Sequence, residues 1–212
     1  MNLEPETLKL TLPKIYPITD VRISKLSHAA QVARLIDGGA TLIQLREKHA
    51  SPKDFYESAK AVLEMTRPRN VKIIINDRVD VALALKADGV HLGQDDLPPE
   101  HARKILGERA IIGFSTHNLK QAAAAVRLPI DYLAIGPVFA TQTKENPAAA
   151  VGIEGVKKVR DIGGNFPIVA IGGITSQNFR EVLAAGANSA AIISDLLAGA
   201  DKISFRMRNL LR

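Results

Sequence analysis

The chain has 212 residues, of which 46% are hydrophobic, and this is enough for one well-buried domain. It contains no cysteine, which excludes disulfide bonds, zinc–thiolate sites and a cysteine nucleophile. The net charge of +6 indicates anionic partners, whereas the 4% aromatic content argues against a stacking platform for single-stranded nucleic acid. We find neither an apolar run of roughly 18 residues nor the charge pattern of a secretory signal, and expect a soluble, cytoplasmic protein.

Short apolar runs alternate with helical patterns along the chain. We predict strands at 15–18, 42–45, 71–75, 90–92, 110–114, 132–135, 167–171 and 189–193. We predict helices at 29–36, 51–67, 82–86, 98–106, 119–126, 152–161, 178–185 and from 202 onwards, and a long loop at 136–150. Apolar runs without period-two alternation are typical of parallel strands buried on both faces. Residues 1–212 are therefore predicted to form a single (β/α)8 TIM barrel with 1–13 as an N-terminal extension; an open doubly wound sheet is the alternative.

A basic triplet lies at the end of the second predicted strand. Gln44, Arg46 and Lys48 are spaced by two, so on an extended segment their side chains leave the same side of the backbone. Arginine offers a planar fork for phosphate oxygens and lysine a mobile point charge, which together suit a pyrophosphate. The alternative is a solvated charged loop. Because active sites of such barrels use the carboxyl ends of strands, we interpret the triplet as part of the site.

Two acidic strand ends accompany the triplet. Asp77 follows the third predicted strand and Asp96 follows the fourth, so parallel neighbouring strands would bring both carboxylates to one edge. Mg²⁺ prefers one or two carboxylates and fills its remaining positions with water and phosphate oxygens. A helix cap is the alternative for Asp77, and a turn is the expected role of Asp95. Together with the basic triplet, the pair predicts a magnesium site.

Further strand ends indicate a second anion site that needs no metal. The segment 141–144, Thr-Gln-Thr-Lys, supplies two hydroxyl groups and an ammonium group, and the segment after it is suited to closing over a ligand. Glycines at 172–173 after the seventh strand and residues 193–194 after the eighth match the usual phosphate site of TIM barrels. Simple turns are the alternative for these glycines.

The histidines carry a weaker signal. The sequence has no HExxH, GxSxG or Walker motif, so metalloprotease, serine hydrolase and P-loop readings lack their residues. We expect His91 to be a packed residue that supports the site, and His117 stays a candidate ligand contact. His28, His49 and His101 are expected at the surface.

Taken together, these motifs resemble those of a known family. The segments are QLREK, INDRVDVALALKADGVHLGQDD, GFSTHN, GPVFATQTK, PIVAIGGIT and AIIS, in this order over residues 44–194. They resemble the signature segments of the thiamine-phosphate synthase (thiamine-phosphate pyrophosphorylase) family. The resemblance implies a (β/α)8 barrel that joins hydroxymethylpyrimidine diphosphate to a thiazole phosphate and releases diphosphate, with Mg²⁺ required.

The resemblance also implies a role for each candidate residue. The residues that would contact the pyrimidine diphosphate are Gln44, Leu45, Arg46, Glu47, Lys48, Asn76, Ser115 and Lys144, of which Arg46, Lys48, Ser115 and Lys144 would be catalytic. Those that would hold the thiazole phosphate are Thr141, Gln142, Thr143, Gly173, Ile193 and Ser194. Asp77 and Asp96 would carry Mg²⁺. Ala140 stands where the family often has proline and Asp95 where it often has glutamate, and neither departure removes a ligand.

Two other functions stay open at this point. A TenI-like thiazole tautomerase without synthase activity should lack part of the basic triplet or of the Asp77 and Asp96 pair, and this chain has both. A basic module that binds nucleic acid is the second, and the clustering of polar residues at strand ends argues against it. We therefore expect small-molecule substrates, no nucleic acid and no membrane as partners. A homo-oligomer is compatible with the sequence, which does not fix the oligomeric state.

Overall fold

A computed structural model describes residues 10–141, 143 and 148–212. Eight parallel strands form a closed barrel in which each strand pairs with the next in the chain and the last pairs with the first. The strands are β1 (Ile15–Thr19), β2 (Leu42–Leu45), β3 (Lys72–Asn76), β4 (Gly89–Leu92), β5 (Ile111–Thr116), β6 (Tyr132–Ile135), β7 (Ile168–Ile171) and β8 (Ser189–Ile192). The predicted (β/α)8 barrel is confirmed, and the open doubly wound alternative is wrong.

Helices follow the strands on the outside of the barrel. They are α1 (Val21–Ser24), α2 (His28–Asp37), α3 (Pro52–Thr66), α4 (Val79–Leu85), α5 (Pro99–Leu106), α6 (Leu119–Ala125), α7 (Gly152–Gly163), α8 (Phe179–Ala184), α9 (Ser194–Leu197) and α10 (Ile203–Leu210). The start of α3 is as predicted, because the Ser51 hydroxyl oxygen accepts a hydrogen bond of 3.1 Å from the backbone N–H of Asp54. Helices α1 and α9 were not predicted, since four residues are too few to show a helical period.

Among the described residues, no helix has the length and apolar character needed to cross a lipid bilayer.

Two apolar layers hold the barrel together. Alternate residues of a strand face opposite sides, so one set packs against the helices and the other fills the barrel. We call the second set the inner cluster: Tyr16, Ile18, Leu42, Ile74, Ile111, Tyr132, Ala134, Val169 and Ala191. Leu10 and Leu12, which precede β1, pack against this cluster. The interior is therefore packed with side chains, and its amino end is covered by the chain's own N-terminal segment.

One contact recurs at the amino end of the barrel. In three places an Asp or Asn just before an even-numbered strand accepts a hydrogen bond from a backbone N–H of the preceding strand. We call these contacts the amino-end bridges: Asp88 with Ile73 (2.8 Å), Asp131 with Ile112 (2.7 Å) and Asn188 with Ile168 (2.9 Å). Each bridge fixes the start of one strand against its neighbour.

Two arginines reinforce the amino-end bridges from the helices. Arg103 of α5 donates to Asp131 at 2.7 Å and to the carbonyl oxygen of Ala110 at 2.6 Å. Arg160 of α7 donates to Asn188 at 2.6 Å, to the carbonyl oxygen of Gly186 at 2.8 Å and to that of Phe166 at 2.9 Å. The guanidinium groups thus satisfy several backbone carbonyls at once in the loops that lead into the strands.

Candidate active site

The two predicted metal carboxylates lie next to each other at the carboxyl ends of β3 and β4. Burial and the neighbouring carboxylate of Asp77 raise the pKa of Asp96. One Asp96 oxygen also accepts a hydrogen bond of 2.7 Å from the backbone N–H of Gly93, and Lys48 forms an ion pair with Asp77. The structure therefore brings together Asp77, Asp96 and Lys48, one of the basic residues predicted to contact the diphosphate.

The backbone of Asp77 has an uncommon conformation. Its φ angle is 61°, in the left-handed region that few residues other than glycine adopt, and its N–H donates to the carbonyl oxygen of His91 at 2.8 Å. The N-cap residue of α4 is Arg78, which has no side-chain capping hydrogen bond, so the helix-cap alternative for Asp77 is wrong. Asp95 lies in an exposed turn, as predicted. The Asp77 side chain instead forms the ion pair with Lys48.

The carboxylate pair fits the requirements of Mg²⁺. The described residues contain no group of three or more His, Asp or Glu side chains that could hold a metal ion. Mg²⁺ does not need such a group, because it binds through one or two carboxylates and takes water and phosphate oxygens as its other ligands. An all-oxygen donor set also suits a hard cation. Asp77 and Asp96 are therefore the residues that could hold Mg²⁺ when a phosphorylated substrate is bound.

The three residues of the basic triplet have three different partners. Strand β2 ends at Leu45, so only Gln44 lies within it, and its amide donates to the Tyr16 hydroxyl at 3.4 Å. Arg46 donates to the carboxylate of Asp20 at 2.8 Å, and Lys48 pairs with Asp77. The expected common direction of the triplet holds only for an extended segment, and the chain leaves the extended conformation after β2. Sequence reasoning gave Asp20 no role, although it directly follows β1.

A small network behind Arg46 shapes the loop after β2. One Glu47 oxygen accepts hydrogen bonds from the backbone N–H groups of Lys48 and His49, both at 2.8 Å, and the other lies 3.4 Å from His28. His28 also lies 2.8 Å from the Thr19 hydroxyl and is 2% exposed. Its predicted surface position is therefore wrong, because the loop after β2 covers it. The Leu45 side chain is 0% exposed and packs in the apolar layer beneath the helices, so it is not available for the predicted ligand contact.

A chain of buried hydrogen bonds crosses the barrel beneath the site. Gln44 contacts Tyr16, the hydroxyl oxygens of Tyr16 and Tyr132 lie 3.1 Å apart, and the Tyr132 hydroxyl lies 3.0 Å from His91 Nδ1. His91 Nε2 lies 2.9 Å from the hydroxyl oxygen of Ser115. Burial raises the pKa of both tyrosines and lowers that of His91 to about 4. His91 is thus buried and neutral, in agreement with its expected packed position, and it contacts Ser115.

Asn76 offers a donor that no described group uses. It is 6% exposed, and its Nδ2 is buried without a hydrogen-bond partner among the described residues. Asn76 is also paired in register with His91 on the neighbouring strand. An unsatisfied buried donor costs roughly 1–3 kcal/mol. A polar ligand in the barrel mouth would remove this cost, which agrees with the predicted pyrimidine contact.

A cavity that is partly open to solvent lies at the ends of β5 to β8, and the space of about 700 Å³ at this place includes open solvent. All described residues predicted to hold the thiazole phosphate line it: Thr141, Thr143, Gly173, Ile193 and Ser194. Ser115 and His117 line it as well. Gln142 and Lys144, both predicted to contact substrate, lie outside the described residues.

The glycines beyond β7 are required by close packing. Gly172 and Gly173 have φ angles of 96° and 65°. A Cβ atom on Gly173 would lie 2.5 Å from the carbonyl oxygen of Ala140, and one on Gly172 would lie 2.5 Å from Cα of Pro137. The loop after β7 is thus pressed against the loop after β6, and the short helix α9 follows β8 at the same edge. Loops after β7 and β8 with a short extra helix form the usual phosphate site of TIM barrels.

Comparison with known proteins identifies relatives of the whole barrel. A family profile described as "Thiamine monophosphate synthase" matches residues 15–196. The thiamine-phosphate synthase of Chloroflexus aurantiacus is 46% identical over 93% of this chain and 90% of that protein, and that of Clostridium novyi is 46% identical over 89% and 92%. The solved structure of a thiamine phosphate pyrophosphorylase from Pyrococcus furiosus is 40% identical, covers 93% of both chains and superposes with a TM-score of 0.83. The predicted resemblance is confirmed, and the chain belongs to the thiamine monophosphate synthase family.

Proposed function

We propose that the chain has thiamine-phosphate synthase activity. It would join 4-amino-2-methyl-5-hydroxymethylpyrimidine diphosphate to 4-methyl-5-(2-phosphoethyl)thiazole, or to its carboxylated form, and release thiamine phosphate and diphosphate. The observation that carries this proposal is the presence of two different anion sites around one barrel mouth. One consists of carboxylates and cations at the ends of β2 to β4, and the other consists of glycines and hydroxyl groups at the ends of β6 to β8.

The first site suits a diphosphate bound with a metal ion. Lys48 and Arg46 would contact the diphosphate oxygens, and each already has a carboxylate partner, Asp77 and Asp20, that holds it at the mouth. Mg²⁺ held by Asp77 and Asp96 would neutralise charge on the departing diphosphate. Asn76 and Ser115 lie at the neighbouring strand ends and would orient the pyrimidine diphosphate. Lys144, from the predicted closing loop, belongs to the same proposal.

The second site suits a phosphate monoester without a metal. Backbone N–H groups near Gly173 and at the start of α9, together with the hydroxyl groups of Thr141 and Thr143, are the donors that a phosphate group needs. The cavity between this edge and Ser115 has room for a small ring. A thiazole phosphate bound there would lie next to Ser115, a residue of the proposed pyrimidine site.

The site needs no protein nucleophile for this reaction. The aminopyrimidine can delocalise positive charge at its methylene group, so the bond to diphosphate can break before the thiazole nitrogen attacks. The protein's task is to position both substrates and to stabilise the leaving group with fixed donors. Each well-placed donor contributes about 3 kcal/mol to lowering such a barrier. This accounts for a site built from cations, hydroxyl groups and backbone dipoles.

A thiazole tautomerase without synthase activity is the second candidate. Such an enzyme would need only the thiazole phosphate site, whereas this chain also has the Asp77 and Asp96 pair next to Lys48. The relatives that share 46% identity are named as synthases. Synthase activity is therefore favoured.

A direct assay tests the proposal. The purified protein is incubated with the pyrimidine diphosphate, the thiazole phosphate and Mg²⁺, and thiamine phosphate and diphosphate are quantified by chromatography. We expect equimolar formation of both products, and its loss when EDTA is added. Tautomerisation of the thiazole substrate without any thiamine phosphate would overturn the synthase proposal in favour of the tautomerase.

A further inference from the structure

Three neighbouring strands bring His91, Gly113 and Tyr132 into one row. His91 is paired in register with Gly113, and Gly113 is paired with Tyr132. A Cβ atom on Gly113 would lie 2.1 Å from the Tyr132 ring and 2.5 Å from His91 Nδ1. The missing side chain therefore lets the two rings meet across the strand between them, where they stack with centroids 5.5 Å apart.

Each of these contacts can run in either direction, but only one arrangement gives both tyrosine hydroxyl protons an acceptor among the described partners. The Gln44 amide N–H donates to the Tyr16 oxygen, which leaves the Tyr16 O–H to donate to Tyr132. The Tyr132 O–H then donates to His91 Nδ1. A neutral imidazole that accepts at Nδ1 has its proton on Nε2, and this N–H donates to the Ser115 oxygen. The Ser115 O–H proton is thus left for another acceptor.

We propose that Tyr132 is a positioning residue for the synthase reaction: it holds His91 in the Nε2–H tautomer, so that the Ser115 hydroxyl donates its proton to the bound pyrimidine diphosphate. The inference rests on the proposed function, because Ser115 is a substrate contact only if this site binds that substrate. Tyr132 is 0% exposed and lies behind His91, so it acts through His91 and Ser115 without touching substrate.

The tautomer can be measured in the protein without substrates. Long-range ¹H–¹⁵N correlation spectra distinguish a protonated from an unprotonated imidazole nitrogen, and His91 can be assigned with a His91→Gln variant. We expect the wild type to show His91 with Nδ1 unprotonated and Nε2 protonated. In Tyr132→Phe, which removes only the hydroxyl group, we expect a mixture of tautomers. Tyr56→Phe, at the remaining tyrosine on the outer helix α3, is the matched control and should leave the wild-type signals.

Kinetics test whether the tautomer matters for the reaction. We expect Tyr132→Phe to lower kcat roughly tenfold, the lower end of the loss seen when an orienting hydrogen bond is removed at metal sites. The KM for the thiazole phosphate should stay unchanged, since that substrate has its own site. In a Ser115→Ala background, Tyr132→Phe should cause no further loss, because the hydroxyl through which it acts is gone. Thermal unfolding of each variant separates these effects from reduced stability.

The outcomes separate this inference from the proposed function. An active wild type whose His91 is protonated at Nδ1 would overturn the positioning role, as would equal kcat losses from Tyr132→Phe with and without Ser115. A wild type that has the Nε2–H tautomer but forms no thiamine phosphate would instead overturn the proposed function, and with it any role of Tyr132 in that reaction.

Discussion

At the amino end of the barrel the same kind of hydrogen bond occurs three times, whereas at the carboxyl end the side chains of the site form pairs of different kinds. The amino-end bridges all join a side-chain oxygen to the backbone of the neighbouring strand. At the other end, Arg46 pairs with Asp20, Lys48 with Asp77 and Ser115 with His91. The contacts at the amino end all fix the start of one strand against its neighbour. The contacts at the carboxyl end instead place different side chains for different roles in the proposed reaction. The two ends can therefore be altered separately, one for stability and the other for activity.

The largest effect is expected at the carboxylate pair. Asp77→Ala or Asp96→Ala should lower Mg²⁺-dependent diphosphate release about a thousandfold, comparable with the loss of a key electrostatic group in other enzymes. Binding of the thiazole phosphate, measured by calorimetry, should be largely retained. Asp95→Ala, at the exposed carboxylate one position away, is the matched control and should keep near wild-type turnover. Wild-type turnover in Asp77→Ala would contradict the metal assignment.

The next effect is expected at Arg160, the α7 residue that reinforces the amino-end bridge between Asn188 and Ile168. Arg160→Ala removes hydrogen bonds to Asn188, Gly186 and Phe166, and should lower the free energy of unfolding by about 2 kcal/mol. Its kcat and KM at temperatures well below unfolding should match those of the wild type. Lys157→Ala on the same helix breaks only an exposed ion pair with Glu154 and should leave the free energy of unfolding close to the wild-type value. Urea denaturation measures both, and a selective loss of kcat in Arg160→Ala would break the separation of the two ends.

A smaller effect is expected at the phosphate edge. Gly173→Ala places a Cβ atom 2.5 Å from the Ala140 carbonyl oxygen, which should displace the loops and raise the KM for the thiazole phosphate about tenfold. Gly164→Ala is the matched control, because Gly164 also has a positive φ angle, 56°, but a Cβ atom there would meet no other group within 4 Å. Steady-state kinetics should show a raised KM only in Gly173→Ala. Equal KM values in the two variants would argue against a phosphate site at this edge.

The smallest effect concerns the pH dependence of stability. Burial lowers the pKa of His28 below its ordinary value near 6.5, despite the opposing influence of Glu47. The unfolded chain therefore binds the proton first, and the folded state loses stability as the pH falls below about 6.5. His28→Gln should flatten this part of the curve of unfolding free energy against pH, with His101→Gln as the control for removing an exposed imidazole. An unchanged slope between pH 7 and pH 5 in His28→Gln would contradict the assignment.

Local sequence patterns predicted most of the strands and helices of the fold. The apolar runs placed each strand to within two residues, since a buried parallel strand needs little beyond a short apolar segment between turn signals. Helices α1 and α9 were not predicted, because each is a single turn. They form where a strand end turns sharply, and Asp20 accepts hydrogen bonds from two backbone N–H groups of α1.

The sequence predicted those site residues whose placement follows from their position at a strand end. It did not predict the contacts that residues make across the barrel. Asp77 and Asp96 follow neighbouring strands, so their meeting follows from the topology. Tyr16 and Tyr132 are 116 residues apart, and nothing in the local sequence states that their hydroxyl groups meet. The one available signal was Gly113 inside a strand, which indicates close approach of another group. The burial of His28 was not predicted either, because the loop that covers it follows a different strand.

The N-terminal segment has a consequence for how molecules enter and leave. Leu10 and Leu12 pack against the inner cluster at the amino end, and side chains fill the interior above them. The described part of the chain therefore leaves the opening at the carboxyl end for substrates to enter and products to leave. If diphosphate and thiamine phosphate leave through this one opening, product inhibition patterns report the order in which they leave.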